Sequence, residues 1–303
     1  MAYTVALTGA TGFIGSVLRR HLTRAGVPLR ALSRQRDGFE DGTEWVRGTL
    51  EDEDALARLV AGADAVIHCA GAVRGAAPGH FERVNVDGSL RLIEAARNGG
   101  RCERFLLLSS LAARHPHLSW YARSKFEAER RVGQAAGEIA VTVFRPTAVY
   151  GPGDREMRPI FEWLLRGWLF TPGQDGARLS LLHVEDLACA VRKWLESPQA
   201  PAATYELNDC QPDGYDWNSI AAIAAEIRGN PVRRIRVPMP LLKGLAQANL
   251  LVSRLSGRAP MLTPAKVGEL THPDWSCSNE AVRQALGWEP RIVLQNALRE
   301  HWF

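Results

Sequence analysis

Tyr121 and Lys125 lie four residues apart in the string WYARSK, within a segment whose apolar residues recur at helical spacing. Residues four apart on a helix project from the same face, about one turn from each other. An ammonium group close to a phenol favours the phenolate and lowers the tyrosine pKa toward neutral pH. Such a phenol can serve as general acid for a carbonyl that is being reduced. Many structural helices carry this spacing, so the pair alone is weak evidence.

Two serines strengthen that interpretation. Ser109 and Ser110 end the apolar string RFLLLSS, which reads as a buried strand just before the Tyr121 helix. The carboxyl ends of parallel strands are where open α/β sheets assemble their sites. We assign Ser110 to a hydrogen bond with a substrate oxygen and expect the backbone to satisfy the Ser109 hydroxyl.

A glycine-rich turn near the N-terminus indicates a nucleotide ligand. The stretch YTVALTGATGFIG places Gly9, Gly12 and Gly15 between a strand pattern and a helical pattern. Glycines let the backbone approach a pyrophosphate, and the helix N-terminus supplies unpaired N–H groups and a partial positive charge. The sequence therefore predicts that a dinucleotide binds here.

Alternating strands and helices must position these residues. Apolar runs predict buried strands at Leu29 to Ser33, Ala65 to Ala70, Phe105 to Ser110 and Val141 to Phe144. Apolar residues three and four apart predict crossover helices at Glu51 to Val60, Phe81 to Ala96 and Tyr121 to Ala135. This order predicts an α/β fold with a Rossmann-type, doubly wound parallel sheet.

The second half of the chain predicts a smaller, discontinuous C-terminal substrate lobe. The string MRPIFEWLLRGWLF reads as a helix outside the sheet, His183 to Leu195 as a further helix, and Thr204 to Leu207 and Arg234 to Val237 as strands. We predict a dinucleotide-binding domain of residues 1–151 and 176–209, and a substrate lobe of residues 152–175 and 210–303.

Composition excludes several classes of protein. The 303 residues are 46% hydrophobic and 23% charged, as in an ordinary globular protein. A net charge of +4 with scattered arginines argues against nucleic acid as a partner. Five widely spaced cysteines without a CxxC pair argue against disulfides and a metal site. The most apolar run, Pro240 to Leu255, is interrupted by polar residues, so we expect a cytoplasmic protein without membrane contact.

Taken together, these motifs resemble the extended short-chain dehydrogenase/reductase family, which includes NAD(P)-dependent epimerases, dehydratases and dihydroflavonol-type reductases. TGATGFIG is similar to the family's TGxxGxxG, and Ser110, Tyr121 and Lys125 match its catalytic Ser, Tyr and Lys. RPTAVYGPGD and HVEDLA are similar to its downstream landmarks, so the resemblance covers nearly the whole chain. It implies an oxidoreductase that acts on a small-molecule substrate, and a homodimer formed through the helices at Phe81 and Tyr121.

The resemblance also implies which residues bind the cofactor. Leu50 would lie against adenine, Asn85 would fix the central helix, and Tyr121 and Lys125 would contact the cofactor as well as the substrate. The phosphate loop would comprise Thr8, Gly9, Thr11, Gly12, Phe13, Ile14 and Gly15, and the other cofactor contacts would come from Ala70, Gly71, Pro146 and Val149. His68 and His183 lie in these motifs, and we expect both to be packing or hydrogen-bonding residues.

The turn after the second predicted strand bears on the choice of cofactor. In ALSRQRDG, Ser33 and Arg34 stand where an NAD-preferring fold usually carries an acid for the ribose 2′-hydroxyl. A guanidinium group matches phosphate geometry, so Arg34 predicts NADP, with NAD as the alternative. Thr49 departs from the family pattern, which commonly has Asp before the leucine.

The three residues after Ser110 narrow the reaction type. Dehydratases of this family carry an Asp-Glu pair there, whereas this chain has Leu111, Ala112 and Ala113. We therefore favour an NADP-dependent carbonyl reductase over an NAD-dependent nucleotide-sugar epimerase. A regulatory or structural NADP-binding protein is a further alternative, although it would not need the Ser, Tyr and Lys together.

The sequence leaves the substrate open between a hydrophobic ketone and a sugar nucleotide. An apolar pocket would use Trp120, Trp163 and Trp168. A nucleotide pyrophosphate would instead be held by arginines, of which the candidates are Arg155, Arg158, Arg233 and Arg234.

Overall fold

The structure is a computed structural model that describes residues 3–172, 176–198, 202–211, 213–256, 260 and 262–303. Over these residues the strands are β1 (Val5–Thr8), β2 (Leu29–Ser33), β3 (Gly38–Glu40), β4 (Thr43–Arg47), β5 (Ala65–His68), β6 (Arg104–Leu108), β7 (Ala140–Pro146), β8 (Ala148–Tyr150), β9 (Trp168–Pro172), β10 (Arg178–Leu179), β11 (Leu181–His183), β12 (Thr204–Leu207), β13 (Arg233–Val237) and β14 (Asp274–Trp275).

The helices of the same residues alternate with these strands in the first half of the chain. They are α1 (Phe13–Arg24), α2 (Glu53–Val60), α3 (Pro78–Phe81), α4 (Gly88–Asn98), α5 (Trp120–Ala135), α6 (Arg158–Leu165), α7 (Val184–Glu196), α8 (Trp217–Arg228), α9 (Met239–Ser256), α10 (Pro264–Leu270), α11 (Glu280–Leu286) and α12 (Leu294–Arg299). A π-helical segment, Glu82–Asp87, joins α3 to α4, and a 3₁₀-helix, Leu111–Arg114, precedes α5.

One large sheet carries the fold, with strand order β12-β7-β6-β5-β1-β2-β4-β3. Every neighbouring pair is parallel except β3 and β4, which are antiparallel. Helices α1 and α7 bury Leu18 and Val191 in one apolar cluster. Helices α2, α4 and α5 bury Leu59, Ile93 and Val132 in another. The predicted Rossmann-type, doubly wound α/β fold is therefore confirmed.

Three local predictions were incomplete. The antiparallel β3–β4 hairpin was not predicted, because its edge strand β3 is exposed and lacks an apolar run. The predicted helix at Phe81 is interrupted by the π-helical segment. The helix expected through residue 170 ends at Leu165, since Gly167 has a φ of +94° and β9 then pairs with β13.

The C-terminal half builds its own apolar cluster. Phe161 and Leu164 of α6 pack there with Ile220 of α8 and Leu298 of α12, which joins residues 152–172 to residues 213–303. Helix α11 instead buries Val282 in the cluster of the large sheet. The predicted domain boundaries stay a prediction, and residues 173–175, expected to end the excursion from the sheet, lie outside the described residues.

Candidate active site

The predicted trio Ser110, Tyr121 and Lys125 meets beyond the carboxyl end of β6. Ser110 caps the 3₁₀-helix by accepting a hydrogen bond from the Ala112 N–H at 3.2 Å. Its side chain is also hydrogen-bonded to the Tyr121 phenol, which projects from the first turn of α5. One turn later, the Lys125 ammonium group donates to the carbonyl of Leu108 in β6 at 2.9 Å. The strand end and the helix thus bring these three side chains together.

The pKa of Tyr121 differs from the sequence-based expectation. Burial raises it from 10.0 to about 12, the hydrogen bond from Ser110 opposes that change, and the nearby Glu269 carboxylate adds to it. The Lys125 ammonium does not lower it, because that group is directed at the Leu108 carbonyl. The expected lowering is therefore wrong for the protein alone. A phenol with a raised pKa is fully protonated at neutral pH and holds a proton that it can give.

The segment after β5 passes directly over Lys125. A Cβ atom built on Gly71 would lie 3.2 Å from Lys125 Nζ and 3.2 Å from Asn85 Oδ1, so the glycine allows this close approach. Asn85 accepts a hydrogen bond from the Ala72 N–H at 2.7 Å and donates to Ser124 of α5 at 2.8 Å. Asn85 lies in the π-helical segment, a feature that is frequent at functional sites. It fastens the β5 loop to the helix that carries Tyr121 and Lys125.

The glycine turn after β1 leads tightly into an open helix N-terminus. Gly9 has a φ of +73°, and a Cβ atom there would lie 2.7 Å from the Ala70 nitrogen. A Cβ atom at Gly15 would lie 2.0 Å from the Gly9 carbonyl oxygen, so only glycine lets α1 pack against the turn. Gly12 begins α1 without a side-chain cap, and the first turn contains no acidic residue. Thr11 and Gly12 are exposed, so this helix end can receive an anion.

Thr8 lies beneath this turn in a chain of buried hydrogen bonds. Its hydroxyl accepts from the Ala70 N–H at 3.2 Å and donates to His68 Nδ1 at 2.6 Å. His68 Nε2 donates to Ser89 at 2.8 Å, and Ser89 donates to the Asn85 carbonyl at 2.6 Å. Burial lowers the pKa of His68 to about 3, with the Lys125 charge acting in the same direction, which keeps the ring neutral. The chain joins β1, β5 and the π-helical segment below the site.

The residues predicted for the adenosine end lie beside the same edge of the sheet. Ser33 ends β2 and accepts from the N–H groups of Gln35 at 3.2 Å and Arg36 at 3.1 Å, which shapes the turn. Arg34 is exposed and makes no hydrogen bond or ion pair with any described residue. Leu50 packs against Gly88 of α4, where a Cβ atom would lie 2.8 Å from a Leu50 methyl carbon.

Pro146 and Val149, predicted to contact the cofactor, lie on the two strands that follow α5. Pro146 ends β7 next to β12, and Val149 lies in β8, which pairs with β11.

Ser109 donates its hydroxyl to Glu129, which is itself ion-paired with Arg145 at 2.5 Å. The partner of Ser109 is therefore a side chain rather than the expected backbone. His183 is buried and hydrogen-bonded to the Trp302 carbonyl at 3.2 Å.

A narrow cleft of about 20 Å³ lies in front of Tyr121, and its far wall was not predicted. Apolar side chains of Val73, Phe81 and Trp120 line it together with Lys266 and Glu269 of α10. The sequence signals that could have suggested this wall are faint: Lys266 is one of only four lysines in the chain, and it lies three residues from Glu269. Such a pair is common on any helix.

Helix α10 packs against the start of α5, the helix that carries Tyr121 and Lys125. Ser119 caps α5 by accepting from the Ala122 N–H at 2.9 Å, and its hydroxyl donates to Glu269. Glu269 is buried and ion-paired with Lys266, whose ammonium lies 5.3 Å from the centre of the Tyr121 ring. A Cβ atom at Gly268 would lie 2.7 Å from the Leu118 carbonyl oxygen, so glycine allows this contact.

The tryptophans and arginines that the sequence offered as substrate-binding candidates lie in several different places. Trp120 lines the cleft, whereas Trp163 is exposed against Phe170 and Trp168 stacks under Arg233. Arg234 donates to Asn218 at 3.1 Å. Arg155 and Arg158 border a separate depression, where Arg158 is ion-paired with Glu162 at 2.8 Å. Of these seven predicted side chains, only Trp120 adjoins Tyr121 in the described cleft.

Comparison with known proteins identifies a family, several relatives and solved structures that are similar to this chain. Residues 5–208 match the NAD dependent epimerase/dehydratase family. A ceramide reductase of Caulobacter vibrioides is 38% identical over 290 residues, which cover 93% of this chain and 88% of the relative. A 2-alkyl-3-oxoalkanoate reductase of Stenotrophomonas maltophilia is 27% identical, with 97% of each chain covered. The solved structure of MoeE5 in complex with UDP-glucuronic acid and NAD has a TM-score of 0.73 at 22% identity, with 98% of this chain and 96% of that chain covered.

Proposed function

The chain belongs to the NAD dependent epimerase/dehydratase family and is an NAD(P)-dependent oxidoreductase of the extended short-chain dehydrogenase/reductase type, and from this premise we propose that it reduces a ketone on a long-chain, amphiphilic substrate. A lipid of the ceramide type that carries a ketone is the substrate we favour. The observation that carries the proposal is the cleft in which a protonated Tyr121 faces both apolar side chains and the ion pair of Lys266 with Glu269.

The residues that line the cleft support an amphiphilic substrate. Phe81 and Trp120 offer apolar surface to an alkyl chain, and burial of such a chain is favourable in proportion to its area. Lys266 and Glu269 offer charged hydrogen-bonding partners to a polar group near the ketone. The relatives named ceramide reductase and 2-alkyl-3-oxoalkanoate reductase support a substrate with alkyl chains.

The same cleft argues against a nucleotide sugar. A pyrophosphate is best held by cations with free N–H groups. Among the described lining residues, Lys266 is already paired with Glu269, and Arg74 is paired with Glu156 at 2.5 Å. Binding a pyrophosphate there would require these pairs to break.

Each member of the trio has a distinct proposed role. Tyr121 gives its proton to the substrate oxygen as the carbonyl becomes an alcohol, and Ser110 hydrogen-bonds the same oxygen. Lys125, held by Leu108 beside Gly71 and Asn85, contacts the bound cofactor. When bound, the reduced nicotinamide cofactor supplies the hydride that the carbonyl carbon accepts.

The geometry of the glycine turn and of the β5 loop supports a proposal for the residues that would hold this cofactor. We propose that the turn at Gly9, Gly12 and Gly15 holds the pyrophosphate and that Gly71 and Asn85 border the nicotinamide end. The guanidinium of Arg34 has no partner among the described residues, which supports NADP because the group can bind a 2′-phosphate.

The fate of the hydride tests the proposal. Purified protein is incubated with NADPH and, in separate reactions, a keto-ceramide, a long-chain 3-oxoalkanoate and UDP-glucose. We expect substrate-dependent loss of NADPH absorbance with one of the two ketones and formation of the matching alcohol by mass spectrometry. Interconversion of the UDP-sugar without net cofactor oxidation would instead establish the epimerase and overturn the reductase.

A further inference from the structure

Helix α9 presents a second apolar surface in addition to the one it buries. Leu242 and Ala246 face inward and pack with Val267 of α10. On the outside, Leu241, Leu245, Leu251 and Val252 are 54%, 49%, 59% and 60% exposed. An exposed group of large aliphatic side chains on one helix marks a contact surface rather than ordinary solvent exposure.

Three of these outward residues form a continuous stripe together with the exposed Ala248. Leu241, Leu245, Ala248 and Val252 recur at intervals of four, three and four residues, which places them on one face along about 16 Å of helix. At about 100° per residue, Gln247 and Asn249 lie on either side of this stripe, and Lys243 lies farther round the helix, next to the buried Leu250. An apolar centre with polar edges is the pattern of a helix that lies in the plane of a membrane interface.

The charge around the stripe points to an anionic partner. Residues 227–268 contain eight Lys or Arg and no Asp or Glu, although the whole chain has 33 acidic residues and a net charge of only +4. The rest of the chain is therefore net acidic, and the basic charge is concentrated in the segment that contains α9. Exposed Arg233 and Arg236 of β13 and Lys243 of α9 contribute to it. Basic segments beside apolar side chains bind anionic lipid headgroups.

We propose that the exposed face of α9 docks the protein on the surface of an anionic lipid bilayer, with Leu241, Leu245 and Val252 entering the boundary of the acyl chains. No helix among the described residues is long and apolar enough to cross a membrane, so α9 lies on the bilayer instead. A second copy of the chain fits this face less well, because two segments of high positive charge would meet. The proposal departs from the expectation of no membrane contact, which weighed only spanning length.

The position of α9 gives this docking a consequence for the site. Ala246 packs against Val267, and the neighbouring Lys266 lines the cleft in front of Tyr121. The bilayer surface would thus lie one helix away from the candidate active site. The inference itself rests on the amphipathic and basic character of α9 and does not require the proposed substrate.

Sedimentation with lipid vesicles tests the proposal without any substrate. The full chain is mixed with vesicles of phosphatidylcholine alone or with vesicles that also contain phosphatidylglycerol. We expect binding to the anionic vesicles that weakens in 1 M salt, where the Debye length is about 3 Å. The double variant Leu245→Glu, Val252→Glu should bind them at least tenfold more weakly. Both positions are exposed, so its thermal unfolding should match that of the unsubstituted protein.

A matched control separates this face from general hydrophobicity. Phe39→Glu changes a 79% exposed apolar residue on β3, at the edge of the large sheet, and should leave vesicle binding unchanged. Equal binding by the double variant, absence of binding, or a dimer in sedimentation equilibrium that the double variant abolishes would each overturn the proposal. Reduction of a water-soluble, short-chain ketone should be unchanged in the double variant, so a failure of vesicle binding is distinguishable from a failure of the proposed function.

Discussion

The Lys266 ammonium lies 5.3 Å from the centre of the Tyr121 ring while it forms an ion pair with the buried carboxylate of Glu269. The pair therefore places both a cation and an anion beside the proposed proton donor. The anion raises the pKa of Tyr121, and the cation is the counter-ion of that carboxylate. The balance between the two charges is a property that substitution can test.

Lys266→Gln should lower kcat by about tenfold, which corresponds to about 1.4 kcal/mol in the barrier. Without its partner, the Glu269 charge disfavours the tyrosinate that remains after proton transfer. A buried charge that has lost its partner also costs more free energy than a site from which both charges are removed. The double variant Lys266→Gln, Glu269→Gln should recover most of the activity, because it removes both charges. Steady-state kinetics across pH measure this recovery. A double variant as slow as the single one would show that the charge balance does not matter.

Tyr121→Phe should lower turnover by roughly a hundred- to ten-thousandfold, the usual contribution of a positioned general acid. Cofactor affinity and thermal unfolding should be nearly unchanged, because the ring still packs against Phe81. Tyr205→Phe, a substitution of a buried tyrosine in β12, is the matched control and should keep its turnover. Near-native turnover in Tyr121→Phe would remove this residue from the chemistry.

Arg34→Ala should reduce the preference for NADPH over NADH. A charge-assisted hydrogen bond to the 2′-phosphate contributes about 1.5 to 3 kcal/mol, or about ten- to a hundredfold in affinity. Calorimetry with both cofactors measures the preference. Arg36→Ala is the control from the same turn, since Arg36 stacks 5.0 Å over Trp45 and pairs with Glu40. If the unsubstituted protein binds both cofactors equally, the phosphate role is excluded and the NAD-dependent epimerase becomes the stronger hypothesis.

His68 should make the protein less stable as pH falls below about 6.5, the ordinary pKa of an unfolded histidine. Its folded pKa is about 3, so the unfolded chain binds more protons between these values. The stabilisation is complete above pH 6.5 and decreases by about 1.4 kcal/mol per pH unit on the way to pH 3. Denaturant unfolding at pH 7.5 and pH 5 should show this loss, and His68→Gln should lose roughly 2 kcal/mol less over the same interval.

Comparison with the unsubstituted protein keeps that result specific. Burial raises the pKa of Asp209 to about 6, which acts in the opposite sense, so only the difference between His68→Gln and the unsubstituted protein is informative. An identical slope in His68→Gln would mean that His68 does not titrate as inferred.

Local spacing and chain order determined much of this protein. The turn at Gly9, Gly12 and Gly15 and the alternation of apolar runs were enough to predict the Rossmann-type sheet, because periodicity and turn chemistry are local properties. The meeting of Ser110, Tyr121 and Lys125 was predictable too, since parallel strands present their carboxyl ends at one edge. The lobe boundaries and a homodimer through the helices at Phe81 and Tyr121 stay predictions.

Tertiary structure alone decided what surrounds that trio. Nothing in the spacing of Lys266 and Glu269 indicates that α10 returns to Tyr121; the approach depends on Gly268 against Leu118 and on the contact between Ser119 and Glu269. The direction of the Tyr121 pKa was likewise reversed, because desolvation depends on neighbours from distant parts of the chain. Periodicity reports which face of a helix is apolar, but burial and charge at a site are set by the segments that pack against it.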